Sequence, residues 1–243
     1  ARLLLRLLTK QTLNGLENIP SDGPVILAGN HVGVLEAVLM IAHSQRQVEI
    51  LGNGDIPFDR GYGWLVNLYG FIPVNRGNLD RSAIQASLDV LRQGGVLGIF
   101  PEGGIWDPAH MEAQLGVALL SQRSGAPVVP IGFGGMQKAL VRALSFKHPH
   151  LSMRVGQPTL PPEAPTDQKE ALREQANRTL TAITALIPPE ELANRPSSEA
   201  FALSLSRQES EGNWFPVDLE GAESVARTLL NDVILGVFQR NLR

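Results

Sequence analysis

Two hydrophobic rhythms alternate along the chain. Short, nearly unbroken apolar runs predict buried strands at residues 25–28, 48–51, 71–74, 96–100, 128–133 and 151–155. Between them apolar residues recur at helical spacing, which predicts helices over 34–44, 79–93, 112–123 and 168–187. The apolar, aromatic stretch 60–70 also reads as helical. In 79–93 the stripe is Ile84, Leu88 and Leu91, and Gly94 and Gly95 stop it. Strands alternating with helices predict an α/β sandwich around a mainly parallel or mixed sheet. Ligands of open α/β sheets bind at the carboxyl ends of strands. Four of the predicted strands end in Gly- or Pro-rich turns that carry polar residues.

The two ends follow other patterns. Arg2, Arg6 and Lys10 recur every four residues, with Leu4, Leu5 and Leu8 largely opposite, which predicts an amphipathic helix over 1–12. Two readings stand for it: contact with an anionic membrane surface, or docking on its own domain with the charged side in water. Residues 14–24 read as turns. Residues 188–213 are rich in Pro, Ser and Glu and read as a linker or loosely packed arm. Val225, Leu229, Val233 and Val237 then form a stripe near helical period. The expected organisation is a domain over 1–187 and an extension over 188–243 whose closing helix packs on it. No internal repeat is visible.

Composition narrows the chemistry. A net charge of −3 gives no field for nucleic acid. The absence of cysteine removes disulfides, thiolate nucleophiles and Cys-based zinc sites, and fits a cytoplasmic setting. The histidines at 31, 43, 110, 148 and 150 lack ligand spacing, so no metal is expected. No apolar run reaches the length of a membrane span, and the first residues lack a signal-peptide pattern.

Four segments carry candidate chemistry. The first, Asn30-His31-Val32-Gly33-Val34-Leu35-Glu36, follows a strand. Positions five apart on a helix are rotated by roughly 140°. His31 and Glu36 therefore meet only if His31 lies in the turn before the helix and Glu36 in its early turns. The positive helix end there favours a neutral imidazole. Glu36 would hold one ring nitrogen as N–H and leave the other to accept a proton, as in a catalytic triad without its nucleophile. A structural histidine at a strand end is the alternative. The second, residues 70–76, ends in Arg76, placed either to grip phosphate or to form a surface ion pair. The third, residues 99–104, ends in Glu102, Gly103 and Gly104. Its glycines admit close backbone approach, and Glu102 either bonds an acceptor hydroxyl or faces water. In the fourth, residues 128–133, Pro130 removes a ladder donor, which suggests an edge strand or a bulge beside a site.

Taken together, in this order and spacing, these segments resemble the four blocks of the glycerolipid acyltransferase family, which includes 1-acylglycerol-3-phosphate acyltransferases. The family pattern is Asn-His-(four residues)-Asp, then a Gly-x-x-Phe-Ile-x-Arg-like block, then Phe-Pro-Glu-Gly-Thr, then Val-Pro-Ile. The resemblance covers residues 15–156. It implies a glycerol-3-phosphate acyltransferase-like sandwich, with a mixed central sheet flanked by helices and a helical C-terminal extension. It implies transfer of a fatty acyl group from acyl-CoA or acyl-ACP, used as co-substrate with no further cofactor, to a hydroxyl of a lysophospholipid or related lipid. His31 would be the general base, worth roughly 10²–10⁴-fold, and Glu36 its partner. Asn30, Arg76, Glu102, Gly103, Gly104 and Pro130 would line the substrate site, with backbone donors near Gly103 and Gly104 on the oxyanion. The implied partners are the lipid, the acyl thioester, acyl carrier protein and a membrane surface, and the implied place is the inner face of the cell membrane.

Two departures stand out. Glu36 replaces the usual Asp but keeps the carboxylate. After Glu102 the family's Thr-Arg-Ser is replaced by Gly104-Ile105-Trp106, so an arginine that would help hold an acceptor phosphate is missing. That departure leaves another lysolipid, an aminolipid or a glycolipid open as the acceptor. A non-catalytic lipid-binding descendant and a thioester hydrolase are the competing functions. Trp64, Leu65, Leu68, Tyr69 and Phe71 would line an acyl groove or form ordinary core. Lys138, Arg142, Lys147, His148, His150 and Arg154 make a locally basic stretch, facing lipid headgroups or CoA phosphates, or only water.

Overall fold

The computed structural model describes residues 2–31, 33, 35–53, 71–74, 80–101, 115–161 and 168–193. Its strands are β1 (Lys10–Asn14), β2 (Val25–Gly29), β3 (Val48–Asn53), β4 (Ile72–Val74), β5 (Val96–Ile99), β6 (Val128–Gly134) and β7 (His150–Val155). Its helices are α1 (Arg2–Leu8), α2 (Leu35–His43), α3 (Arg81–Arg92), α4 (Gly116–Ser124), α5 (Ala139–Leu144), α6 (Gln168–Leu186) and α7 (Pro189–Ala193). The strands form one sheet in the order β1-β7-β6-β2-β5-β3-β4. Every neighbouring pair is parallel except β6 with β7. The sheet is therefore mixed, as expected. Among the described residues no helix is long and apolar enough to cross a membrane.

Central strands covered on both faces cannot alternate, and β2, β5 and β6 are buried at every position. On one face Leu27, Val129, Ile131 and Phe133 pack under Leu5 of α1, Leu35, Leu39 and Met40 of α2, and Ala139 of α5. On the other, Ile26, Ala28, Leu97 and Val128 pack under Leu88 and Leu91 of α3, Leu120 of α4 and Ile183 of α6. Helix α6 lies so close to β6 that a Cβ on Gly132 would stand 2.4 Å from the Leu186 carbonyl carbon. Only glycine permits that approach.

Three expectations change. The N-terminal helix ends at Leu8, not 12. Buried Thr9 turns its N–H (2.9 Å) and hydroxyl (2.6 Å) onto Leu5 O, and the chain then becomes edge strand β1. Pro130 does not lie on an edge strand, because β6 runs between β7 and β2. Its missing donor falls where β7 leaves the ladder: Gly156 N–H donates to Pro130 O at 2.8 Å, and pairing resumes between Val128 and Thr159. Two steps on β6 oppose three on its partner, which is a bulge. Finally, packing continues past residue 187. Pro188 is buried, Leu192 joins the core, and Gly135 N–H donates to Glu191 Oε1 at 2.8 Å. The closing helix expected around 225–237 lies outside the described residues.

At the end of the sheet where β2 and β5 begin, one side chain ties three turns. The Arg46 guanidinium donates to Pro20 O (3.0 Å), Gly23 O (2.7 Å) and Gly94 O (2.6 Å). Nearby, Arg2 Nε donates to Ala42 O, near the last carbonyls of α2. Buried His43 donates from Nε2 to Gln11 Oε1 at 2.9 Å, and Gln11 Nε2 donates to Thr9 Oγ1 at 3.0 Å. Burial first, then the charges of Arg2 and Arg6, hold the His43 pKa below the ordinary imidazole value.

A lowered folded pKa means that the unfolded chain takes up this proton more readily. The stability His43 contributes is present above its unfolded pKa, about 6.5, and is lost as pH falls through that value toward the folded one. Thermal melts at descending pH should show wild type losing more stability below this point than His43→Gln. Equal losses would remove His43 as the cause.

Candidate active site

The site forms where β2 stops. Ala28 still pairs with Ile99 of β5 and with Pro130 of β6, and Gly29 with Ile131. The next residue, Asn30, is 3% exposed and continues the pairing with its side chain. Its Oδ1 accepts from Phe133 N–H at 2.7 Å, and its Nδ2 donates to Phe133 O at 3.2 Å. This double bond replaces a strand residue and fixes where the chain leaves the sheet.

His31 follows in the turn. Its ring stacks on Phe100, the residue after β5, at a centroid distance of 4.4 Å and an interplanar angle of 23°. The residue is half-buried, and its Nδ1 is fully covered. Glu36 stands in the first turn of α2 and is 0% exposed. Its Oε1 accepts from Gly33 N–H at 2.7 Å, so the carboxylate folds back over the loop that carries His31. A Cβ on Gly33 would lie 3.7 Å from Glu36 Oε2 and 3.4 Å from Met136 O, which marks how tightly the loop is enclosed. The helix N-terminus is a favourable place for that buried charge. His31 in the turn and Glu36 in the first helical turn is the placement that a dyad at this spacing requires.

Asn30, His31 and Glu36 are therefore gathered in one loop. Asn30 bonds Phe133 at both ends of its amide, which makes it a positioning group for the turn that carries His31. Pro130 lies within β6, opposite Ala28 of β2. It shares the strand face of Val128 and Gly132, which packs on α6, and its ring lies against Gly156. Phe71 is half-buried and packs on the core beside Gly52, so it takes its core reading. Arg76, Glu102, Gly103 and Gly104 lie outside the described residues, as do Trp64, Leu65, Leu68 and Tyr69.

Sequence reasoning gave no role to Phe100 or Phe133. The available signal was position: each is a large apolar residue closing a buried strand, level with the turn that carries His31.

The acyltransferase family model matches residues 10–134, from β1 to the end of β6. The 1-acyl-sn-glycerol-3-phosphate acyltransferase of Bacillus subtilis (strain 168) is 24% identical over 143 residues, 58% of this chain and 70% of that protein. The enzyme of the same name from Borreliella burgdorferi is 35% identical over 100 residues, 39% of this chain and 38% of that protein. In fold, the chain is similar to the crystal structure of the 1-acyl-sn-glycerophosphate (LPA) acyltransferase PlsC from Thermotoga maritima. The TM-score is 0.57 at 19% identity, over 81% of this chain and 77% of that one.

Substitutions at two positions test this turn. Asn30→Ala abandons two buried backbone groups of Phe133, at about 1–3 kcal/mol each, and urea denaturation should show a loss in that range. Glu36→Ala should cost about 1–3 kcal/mol for the abandoned Gly33 N–H, while Glu36→Gln keeps an acceptor there and should cost less. Unchanged stability in both alanine variants would contradict the assigned contacts.

Proposed function

The chain belongs to the acyltransferase family, and on that premise we propose that it moves a fatty acyl group from acyl-CoA or acyl-ACP to the free hydroxyl of a 1-acylglycerol phosphate or closely related lysolipid. His31 is the general base and Glu36 its partner. The observation that carries this reading is the gathering of Asn30, His31, Gly33 and Glu36, inside the matched span, at adjacent strand ends. The names of the relatives from Bacillus subtilis and Borreliella burgdorferi support the acceptor class.

In this mechanism Nδ1, covered within the loop, keeps its proton under the influence of Glu36, and Nε2 faces the acceptor. The acceptor hydroxyl attacks the thioester carbonyl carbon as its proton passes to Nε2. The carbon–sulfur bond then breaks, and the departing thiolate takes the proton back, which leaves neutral His31. The Glu36 carboxylate stabilises the transient imidazolium. The stacked Phe100 ring holds the imidazole plane and shields one face from water. No acyl-enzyme is needed, in keeping with a chain that has no cysteine. A lipid acceptor sets the reaction at a membrane surface, on the cytoplasmic side where acyl-CoA and acyl-ACP are made.

The test is product lipid analysis by mass spectrometry, with both acyl donors and a panel of lysolipids. His31→Ala should lower turnover by about 10²-fold or more, with a 1-acylglycerol phosphate among the best acceptors. Full activity in that variant would end the general-base assignment. Thioester cleavage independent of any acceptor would favour a hydrolase.

A further inference from the structure

The chain carries its charge unevenly. Residues 2–16 hold Arg2, Arg6 and Lys10, and residues 138–154 hold Lys138, Arg142, Lys147 and Arg154, while neither segment contains an Asp or Glu. The protein as a whole is acidic, at −3. Folding brings these two segments together, because β1 pairs with β7 from Lys10↔His150 to Asn14↔Arg154. Lys10 N–H donates to Pro149 O at 3.0 Å, and the Thr12 hydroxyl bonds His150 Nε2 at 2.8 Å.

The same edge exposes large apolar side chains. Leu3 and Leu7, one turn apart on α1, are 72% and 60% exposed beside exposed Arg6 and Lys10. Phe146 is 57% exposed between α5 and β7, next to exposed Lys147. Its backbone is unusual. Phe146 N–H donates to Ala143 O (3.0 Å) and Lys147 N–H to Arg142 O (2.9 Å), the bonding of a Schellman helix end. Glycine usually occupies the left-handed position of that motif, yet here it is Phe146 at φ 54°. Phe146 is thus a bulky, largely exposed ring on a left-handed backbone that favours glycine.

We propose that the outer face of α1 and the α5–β7 turn form one docking surface for an anionic phospholipid bilayer. Leu3, Leu7 and Phe146 insert among the acyl chains, and the flanking Arg and Lys side chains meet the headgroup phosphates. The segment leading into α5 lies close to the His31 turn: a Cβ on Gly33 would stand 3.4 Å from the carbonyl oxygen of Met136, three residues before α5. Docked this way, the loop faces the layer in which a lipid acceptor resides. The inference rests on the lipid-acceptor reading given above and names the surface that serves it.

Flotation of the full chain with phosphatidylcholine vesicles, with and without phosphatidylglycerol, tests it. Wild type should partition at least tenfold better into the anionic vesicles, and added salt should remove that preference. Arg142→Gln and Lys147→Gln should each lower partitioning about fivefold. Phe146→Gly suits the left-handed backbone and should lower partitioning about tenfold without lowering the melting temperature. Its turnover should stay at the wild-type level on a monomeric short-chain lysolipid and fall on vesicle-embedded acceptor. His31→Ala should float like wild type, so loss of the catalytic reading leaves the docking result standing. Equal partitioning into neutral and anionic vesicles, or wild-type partitioning in Phe146→Gly, would overturn the proposal. So would a clear drop in its melting temperature, which would assign Phe146 to a contact within the chain.

Discussion

Where β2 ends, its backbone ladder with β6 has one residue too few, and the carboxamide of Asn30 supplies the missing rung. An amide side chain carries an acceptor oxygen and N–H donors, so it can match the acceptor and the donor that a backbone residue offers. Phe133 takes both. The Phe133 ring also lies against Gly29, where a Cβ would come within 2.6 Å of it. The chain therefore leaves the sheet at a fixed point, and His31 emerges beside the end of β5, where the Phe100 ring waits. Leucine in place of Asn30 would fill the space but leave two buried backbone groups unmet.

In the proposed mechanism Glu36 has two tasks that compete for one carboxylate. A buried charge costs several kcal/mol unless hydrogen bonds and nearby dipoles offset it. The Gly33 N–H and the N-terminus of α2 supply that offset. The same contact ties down the loop between His31 and the helix. A group acting on the imidazole is in this way also the group that builds the loop. Loss of activity in a Glu36 variant therefore has to be separated from loss of loop geometry, and Glu36→Gln is informative because it separates charge from hydrogen bonding.

Much of this was legible in the sequence, for identifiable reasons. Strands β2, β5 and β6 showed as apolar runs because both their faces are covered. Strand β1 did not, since Lys10, Thr12 and Asn14 are exposed and only Leu13 is apolar; its identity comes from pairing with β7, some 140 positions away. The His31 and Glu36 spacing set a condition for a dyad, His31 in the turn and Glu36 in the first helical turn, and the backbone meets that condition. The role of Asn30 was hidden because its partner lies 103 residues on. Of the two readings for Pro130 the bulge held and the edge strand did not, because sequence reports a missing donor but not which neighbour would have used it.

The reversal of β7 is what puts the docking surface and the site at the same end of the molecule. Strand β6 spans about 23 Å, while the six residues of α5 span only about 9 Å. A helix that short cannot carry the chain back to begin another parallel strand. The chain turns instead beside the end of β6, and β7 starts there, antiparallel, with Gly134 opposite Ser152. Because β1 is parallel to β7, it too begins at that end and brings α1 with it. One break in an otherwise parallel sheet thus sets Lys10 and the α5–β7 turn at the strand ends that carry His31, while α1 reaches back to the end of α2. Lengthening α5 enough to permit a parallel return would separate them without altering any residue of the site.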